Sequence, residues 1–229
     1  MKFRRRSADP DPSVDQADEL AEGQAGDQAG DQAGDQAGDE PGEPRKAGTD
    51  GPYDVSEIDA EAEGRVDLGS LLIAPSEGRE VRLQVDEASQ AVQSVLVAGR
   101  DGALELRAFA APRNGDLWSD VRPELVADVK SKGGTVEERE GRFGVELVCQ
   151  RPVQMPDGTS GVQPSRIVGV NGPRWLLRGT FLGAPAVRPE EAAEWEDVLA
   201  QVAVRRGDHA MPVGDALALV LPKQARKLP

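Results

Sequence analysis

The sequence predicts an α+β fold. One domain over residues 51–222 is expected, built on a mostly antiparallel sheet with about two main flanking helices and preceded by a disordered acidic tail. Three observations carry that expectation. Several short runs alternate apolar and polar residues with period two, and glycine-containing turn signals separate them. Two longer segments instead space their apolar residues by three and four, as a helix face does. The composition also breaks near residue 50. Of the formal charge of −14, residues 1–50 carry −7 (6 basic and 13 acidic groups), and the remaining −7 falls on residues 51–229 (21 basic and 28 acidic).

The tail is justified by what it lacks. Its only large apolar side chains are Met1, Phe3, Val14 and Leu20. These cannot offset a backbone-ordering cost of about 1–2 kcal/mol per residue, so disorder is expected over 1–50. The tail repeats Asp-Gln-Ala-Gly at 27–30, 31–34 and 35–38. A glycine in every turn opposes a helix by about 1 kcal/mol each, and calcium-binding Gly/Asp repeats use longer units. A flexible low-complexity linker fits best. Lys2, Arg4, Arg5 and Arg6 are followed by no apolar stretch, so no export signal is expected. Those cations beside Phe3 give at most a marginal hold on an anionic membrane. With no apolar run of about eighteen residues, no integral membrane segment is expected.

Within the domain, Val81-Arg82-Leu83-Gln84-Val85 reads as a half-buried strand. Val92–Ala98 and Leu104–Ala110 flank Gly99-Arg100-Asp101-Gly102. Asp-Gly supplies positive φ for a tight turn, so these two strands should pair antiparallel. Trp118, Val121, Leu125 and Val129 then fall on one helical face. Asp120 is the expected cap, which places Pro123 in the first turn, and Gly133-Gly134 is the stop.

Strands are expected to resume at Thr135–Glu138 and Phe143–Gln150, with Phe143, Val145, Leu147 and Cys149 on one face. Pro156-Asp157-Gly158 reads as a turn. Ser165–Val170 and Arg174–Phe181 form a hairpin through Asn171-Gly172-Pro173. On its second strand Trp175, Leu177, Gly179 and Phe181 face one way, and Arg174, Leu176 and Arg178 the other. A second helix is expected from Pro189, with Glu190 and Glu191 in its first turn and a stripe of Ala192, Trp195, Val198, Leu199 and Val202. A short strand near Val202–Arg205, a closing segment Leu217–Leu221 and a flexible 223–229 end the chain.

The chemistry is sparse. One cysteine and one histidine exclude disulfide frameworks, multi-cysteine zinc sites and paired-histidine chemistry. Cys149 lies on the expected core face with no visible base, so it reads as a small core residue and not a nucleophile. His209, in Arg205-Arg206-Gly207-Asp208-His209, reads as an exposed loop residue, and no Gly-x-Ser-x-Gly elbow is present. Glu137, Glu138 and Glu140 read as solvated charge, since neighbours on a strand point oppositely. The glycines at 158–161 and 169–172 are turn glycines, for neither a Walker sequence nor Gly-x-Gly-x-x-Gly occurs. No catalytic residue, metal or cofactor is expected. Nucleic acid is not an expected partner either, because the domain is net acidic. The candidate contact residues are Arg174 and Arg178, two strand positions apart, as an anion clamp of paired planar donors. The competing reading is that each pairs with a surface carboxylate.

Five segments carry a resemblance. They are Gly51-Pro52-Tyr53-Asp54-Val55, Arg65-Val66-Asp67-Leu68-Gly69, Phe109-Ala110-Ala111-Pro112, Pro156-Asp157-Gly158 and the run Gly169-Val170-Asn171-Gly172-Pro173-Arg174-Trp175-Leu176-Leu177-Arg178-Gly179. In that order they resemble the actinobacterial domain-of-unknown-function (DUF) family 3710, over roughly residues 51–222. The family usually has Trp where this chain has Tyr53 and Asp where it has Asn171. The second change removes a carboxylate that could pair with Arg174. The resemblance implies a cytoplasmic protein behind a variable acidic tail and transfers no catalytic residues.

By topology alone the element order is also similar to the Mog1/PsbP-like fold, an analogy that carries no function by itself. The resulting expectation is a non-enzymatic protein-binding or regulatory module with an unidentified protein partner, acting through one sheet face or the 165–179 hairpin. The alternative is an enzyme or small anionic-ligand binder centred on Arg174 and Arg178. A concave pocket lined by these arginines would favour that alternative, and a flat exposed face favours the module.

Overall fold

The computed structural model describes residues 51–59, 64–86, 88–89, 91–113, 115–154 and 158–222. The expected tail, the expected flexible C-terminus and most of the Pro156-Asp157-Gly158 turn lie outside the described residues. The strands are β1 (Tyr53–Asp54), β2 (Val66–Asp67), β3 (Leu71–Ile73), β4 (Glu80–Val85), β5 (Val92–Ala98), β6 (Gly102–Ala110), β7 (Thr135–Gly141), β8 (Gly144–Gln154), β9 (Ser160–Gly172), β10 (Trp175–Gly183) and β11 (Ala203–Val204). The helices are α1 (Leu117–Ser131), α2 (Ala184–Val187) and α3 (Ala193–Ala200), with 3-10 turns at Val55–Glu57 and Pro189–Glu191.

The architecture is α+β. A seven-stranded antiparallel sheet runs β4-β5-β6-β10-β9-β8-β7. A four-stranded sheet, β1-β11-β3-β2, contains the parallel pair β1–β11. Of this second sheet the sequence predicts only β11, as the short strand near Val202–Arg205. The other strands span two or three residues each, too few for an alternation to register.

The main core lies on one face of the large sheet. Val95 and Val97 of β5, Leu104, Leu106, Ala108 and Ala110 of β6, and Trp175, Leu177 and Phe181 of β10 pack there. They meet Trp195, Val198 and Leu199 of α3 and Leu71 and Ile73 of β3. The other face meets α1, where Leu117, Trp118 and Val129 cover Leu147, Cys149, Ile167 and Leu176.

Three local expectations change. Helix α1 begins at Leu117, with Asp116 as the cap that accepts the Ser119 N–H at 3.0 Å. Capping there lets Leu117 and Trp118 enter the core. Pro123 is consequently inside the helix, on its exposed side, where the hydrogen bond it cannot donate is missed least. The second helix is split into the 3-10 turn and α3, which starts after Ala192 without a side-chain cap. Phe143 lies in the β7–β8 turn and packs toward the main core, away from Leu147 and Cys149.

Two hairpin turns also differ in mechanism. Neither Gly99 nor Gly102 has a positive φ. Each is required because the chain is crowded there: a Cβ on Gly102 would lie 2.5 Å from the Leu182 carbonyl oxygen, and one on Gly99 would lie 2.9 Å from the Trp195 ring. In the β9–β10 turn the left-handed residue is Arg174, with φ of 63°, and not Gly172. Gly172 lies under the Trp175 ring, 2.0 Å from where a Cβ would sit. Pro173 precedes the positive φ, as at the second position of a type II turn.

Beyond Gln150 and Ser165, strands β8 and β9 have lost their outer partners β7 and β10 and pair only with each other. Pro152 and Pro164 both lie in or at the start of this arm, where a missing N–H disrupts least. At the other end, Leu217 N–H donates to the Ala108 carbonyl and Val220 N–H to the Leu68 carbonyl, both at 2.9 Å. The closing segment thus takes the place beside β6 that β5 leaves after Leu106.

Candidate functional site

Strand alternation explains how the candidate face arises. Along β6, Leu104, Leu106, Ala108 and Ala110 are buried, while Ala103, Glu105, Arg107 and Phe109 between them are half-buried. On β10, Arg178, Thr180 and Leu182 are half-buried beside buried Leu177, Gly179 and Phe181. Further out, Glu80, Arg82 and Gln84 of β4 are exposed. Helix α1 packs on β7, β8 and β9 and also covers Leu176 of β10, with Phe109 of β6 against its edge. Among the described residues, the rest of this face, over β4, β5 and the far parts of β6 and β10, lies outside the α1 cluster.

Arg178 lies at its centre. The register sets Arg178 directly opposite Arg107 of β6, with Leu176 opposite Phe109 and Thr180 opposite Glu105. Both guanidinium carbons lie over the Phe109 ring, Arg107 at 5.4 Å and Arg178 at 5.3 Å from its centroid. Neither arginine forms an ion pair or hydrogen bond with a described residue, and the Arg107 Nε is buried without an acceptor. Burial, and then the neighbouring Arg107 charge, pull the Arg178 pKa below the ordinary arginine value, with Glu105 opposing. The pair remains cationic at neutral pH.

The structure does not bring Arg174 to this face. Its positive φ removes it from the strand, which begins at Trp175. Its carbonyl accepts from Ala111 N–H at 2.9 Å and from Arg206 Nε at 3.2 Å. The expected two-position spacing of Arg174 and Arg178 therefore is not formed, and the partner of Arg178 is Arg107. Sequence reading missed Arg107 because the signal was a strand register across more than sixty residues. Arg-x-Phe at 107–109 was the only local hint.

Two clefts lie elsewhere. One, of about 380 Å³, is lined by Asp116, Trp118, Arg122, Gly144 and Asn171 among others. There Asn171 Nδ2 donates to Asp116 Oδ1 at 2.7 Å, and the Ser119 hydroxyl donates to Asp116 Oδ2 at 2.5 Å. These donors, the Ser119 hydroxyl foremost, hold the Asp116 carboxyl below its usual range. The Trp118 ring lies against Gly169, and its Nε1 donates to the Val145 carbonyl at 2.7 Å. The other cleft, about 170 Å³, lies between Arg79, Asp101 and Glu194.

A third group is buried. Arg166 and Glu146 are each 1% exposed. Arg166 Nη1 lies 2.9 Å from Glu196 and 3.7 Å from Glu146, which also receives Arg139. The Arg166 Nε and Nη2 have no acceptor, but the guanidinium stacks on Phe181 at 4.4 Å. Two cations and two carboxylates balance, as an ion cluster inside a core must.

The remaining candidates fall as follows. Cys149 is fully buried, and burial pushes its thiol pKa up, the opposite of nucleophile activation. His209 is exposed in its loop, where its carbonyl accepts from Arg206. Glu137, Glu138 and Glu140 are exposed along β7, an edge strand of the large sheet. Charge at an edge discourages strand addition. Among the described residues no helix is long and apolar enough to cross a membrane.

The family model described as a protein of unknown function (DUF3710) matches residues 51–228. No curated protein matches the chain in sequence. Among solved structures, a crystal structure from Bacteroides thetaiotaomicron is similar at a TM-score of 0.38 and 16% identity, covering 66% of this chain and 52% of that one. This chain thus spans about half the length of that protein. The solution structure of cyanobacterial PsbP from Synechocystis is similar at a TM-score of 0.35 and 16% identity, covering 61% of this chain and 91% of that one. Neither likeness carries an activity.

Proposed function

This chain belongs to the DUF3710 family, and we propose that it is a non-enzymatic protein-binding or regulatory module of the cytoplasm. Its docking surface is the uncovered half of the large sheet. One observation supports this reading: the main core covers the centre of one side of the large sheet, whereas on the other side α1 covers β7, β8, β9 and Leu176 of β10 and leaves much of β4, β5, β6 and β10 outside its cluster. The open remainder presents half-buried Leu96, Phe109, Arg107, Arg178 and Thr180. That mixture of aromatic, arginine and aliphatic groups is characteristic of protein interfaces. A cytoplasmic setting accords with a single cysteine kept as a buried thiol.

An enzyme or small-anion binder centred on Arg174 and Arg178 has less support. Small ligands take concave sites, whereas neither described cleft includes Arg178, and Arg174 lies in a turn.

Site-specific photo-cross-linking of the full chain in its native cells tests the reading. A benzophenone side chain at Thr180 or Glu105 is expected to give discrete protein adducts that the same group at exposed Val213 does not. Absence of adducts at both face positions, or identical adducts at Val213, would overturn it.

A further inference from the structure

We propose that the open sheet face recognises an acidic peptide segment of a partner protein. A carboxylate of that segment would be held between Arg107 and Arg178, above the Phe109 ring. This rests on reading the face as a docking surface, and it adds the chemistry of the partner.

The argument begins with a cost. Like charges directly opposite one another on adjacent strands destabilise a sheet, yet the register places Arg107 opposite Arg178. Natural surfaces usually relieve such a pair with a nearby carboxylate. Here neither arginine has one as an ion-pair partner among the described residues, although 28 acidic residues follow residue 50. Elsewhere the same chain does pair its arginines: Arg166 with Glu196, Arg139 with Glu146, and Arg205 with Asp67. The facing, unpaired cations contrast with these pairs.

They are also held ready. Phe109 lies between the strand positions and takes both guanidinium groups on its ring, at 5.4 and 5.3 Å. Side chains fixed in this way lose little freedom when a ligand arrives. Two planar forks side by side match the two oxygens of a carboxylate. An entering anion removes the repulsion and gives the buried Arg107 Nε an acceptor.

The surroundings narrow the anion. Neither of the two clefts described above includes the pair, and the larger of them is at Asp116 and Asn171, so a small phosphate compound bound here would remain largely solvated. A nucleic acid needs positive charge along a whole row of phosphates, and this face offers one unpaired arginine pair accompanied by Glu105 and Glu80, whereas a single peptide carboxylate needs only that pair. One or two carboxylates on a peptide, flanked by apolar groups that can lie on Leu96 and Leu182, suit the face in both charge and shape.

The test uses the full chain and three probes: hexaglutamate, hexaglutamine and inorganic phosphate. The arginine Nε–H resonances of Arg107 and Arg178 are followed by NMR. Hexaglutamate is expected to shift both in a saturable way, and hexaglutamine to shift neither. Arg107→Gln and Arg178→Gln should each weaken hexaglutamate binding at least tenfold, with Arg107→Lys and Arg178→Lys falling between. The melting temperature should hold or rise in both Gln variants, since each removes one of two repelling charges. The proposal is overturned if hexaglutamate moves neither resonance, if the Gln variants bind as wild type does, or if phosphate outcompetes hexaglutamate. It is also overturned if the Gln variants fail to fold, because the pair is then structural. Adducts at Thr180 without any effect of hexaglutamate would leave the docking surface standing and remove only its acidic partner.

Discussion

The Trp175 indole Nε1 donates to Asp54 Oδ2 at 2.8 Å, joining the strand after the β9–β10 turn to the first turn of the domain. Trp175 is 1% exposed. Asp54 is itself fixed, because it caps Val55–Glu57 by accepting the Ser56 N–H while its own N–H donates to Glu57. The two sequence segments Gly-Pro-Tyr-Asp-Val and Gly-Pro-Arg-Trp therefore meet in space, and their shared role is to close the fold.

Removing that carboxylate should be costly. Asp54→Ala leaves a buried indole N–H without an acceptor and removes a cap, for a loss of about 1–3 kcal/mol. Ser56→Ala, which removes only an exposed donor to the same carboxylate, should stay within about 0.5 kcal/mol. Urea denaturation of the two variants checks the difference.

Gly169 is the seat of Trp118. A Cβ there would lie 2.2 Å from the indole, so Gly169→Ala must move either the ring or the strand. Overpacking of this kind costs about 1–3 kcal/mol. The expected readout is a lower urea midpoint together with red-shifted tryptophan emission, as Trp118 leaves its place over β9. An unchanged midpoint would mean that the ring yields freely.

Asn171→Asp should reverse a pH dependence. In the wild type, Asp116 has a folded pKa below its unfolded value, because Ser119 and then Asn171 donate to it. Its contribution is present above the unfolded value, about 3.9, and is lost as pH falls through the folded one. An aspartate at 171 would set two carboxylates at the present 2.7 Å contact. The pair would repel at neutral pH and bind a shared proton more tightly when folded. The variant should lose stability at pH 7 and regain part of it towards about pH 4, as melting temperatures across that range would reveal.

The buried cluster predicts an asymmetric loss. Glu146→Gln removes a carboxylate that is 1% exposed and leaves Arg139 without its ion pair, while Arg166 keeps Glu196. Because Arg139 is a third exposed, solvent screens part of the loss, which should fall below the about 3–5 kcal/mol of a fully buried unpaired charge. Replacing Arg139 and Glu146 together by apolar residues should cost less, because that removes both charges. Equal losses in a double-mutant comparison would contradict this picture.

What could be read in advance followed from local patterns. The two hairpins around 99–102 and 171–174, the stripe of α1 and the α3 core face are all set by spacings of two, three or four residues. Of the small sheet only the strand near Val202–Arg205 was legible, and its pairing was not, since β1 meets β11 only after the whole large sheet intervenes in the chain. Arg178 was visible as a candidate, but Arg107 was not, because a facing pair depends on which residues the β6–β10 register sets opposite. Arg174 was misplaced because alternation assumes an extended backbone, and its φ of 63° breaks that assumption.

The closing segment has a consequence for synthesis. Ala108 and Leu68 receive their partners from Leu217 and Val220, so the edge of β6 and the small sheet stay incomplete until the last stretch of the domain has left the ribosome. During translation the nascent chain exposes a strand edge at Ala108–Ala110, the kind of surface that recruits chaperones or aggregates. A chain truncated before Gly214 would keep that edge permanently.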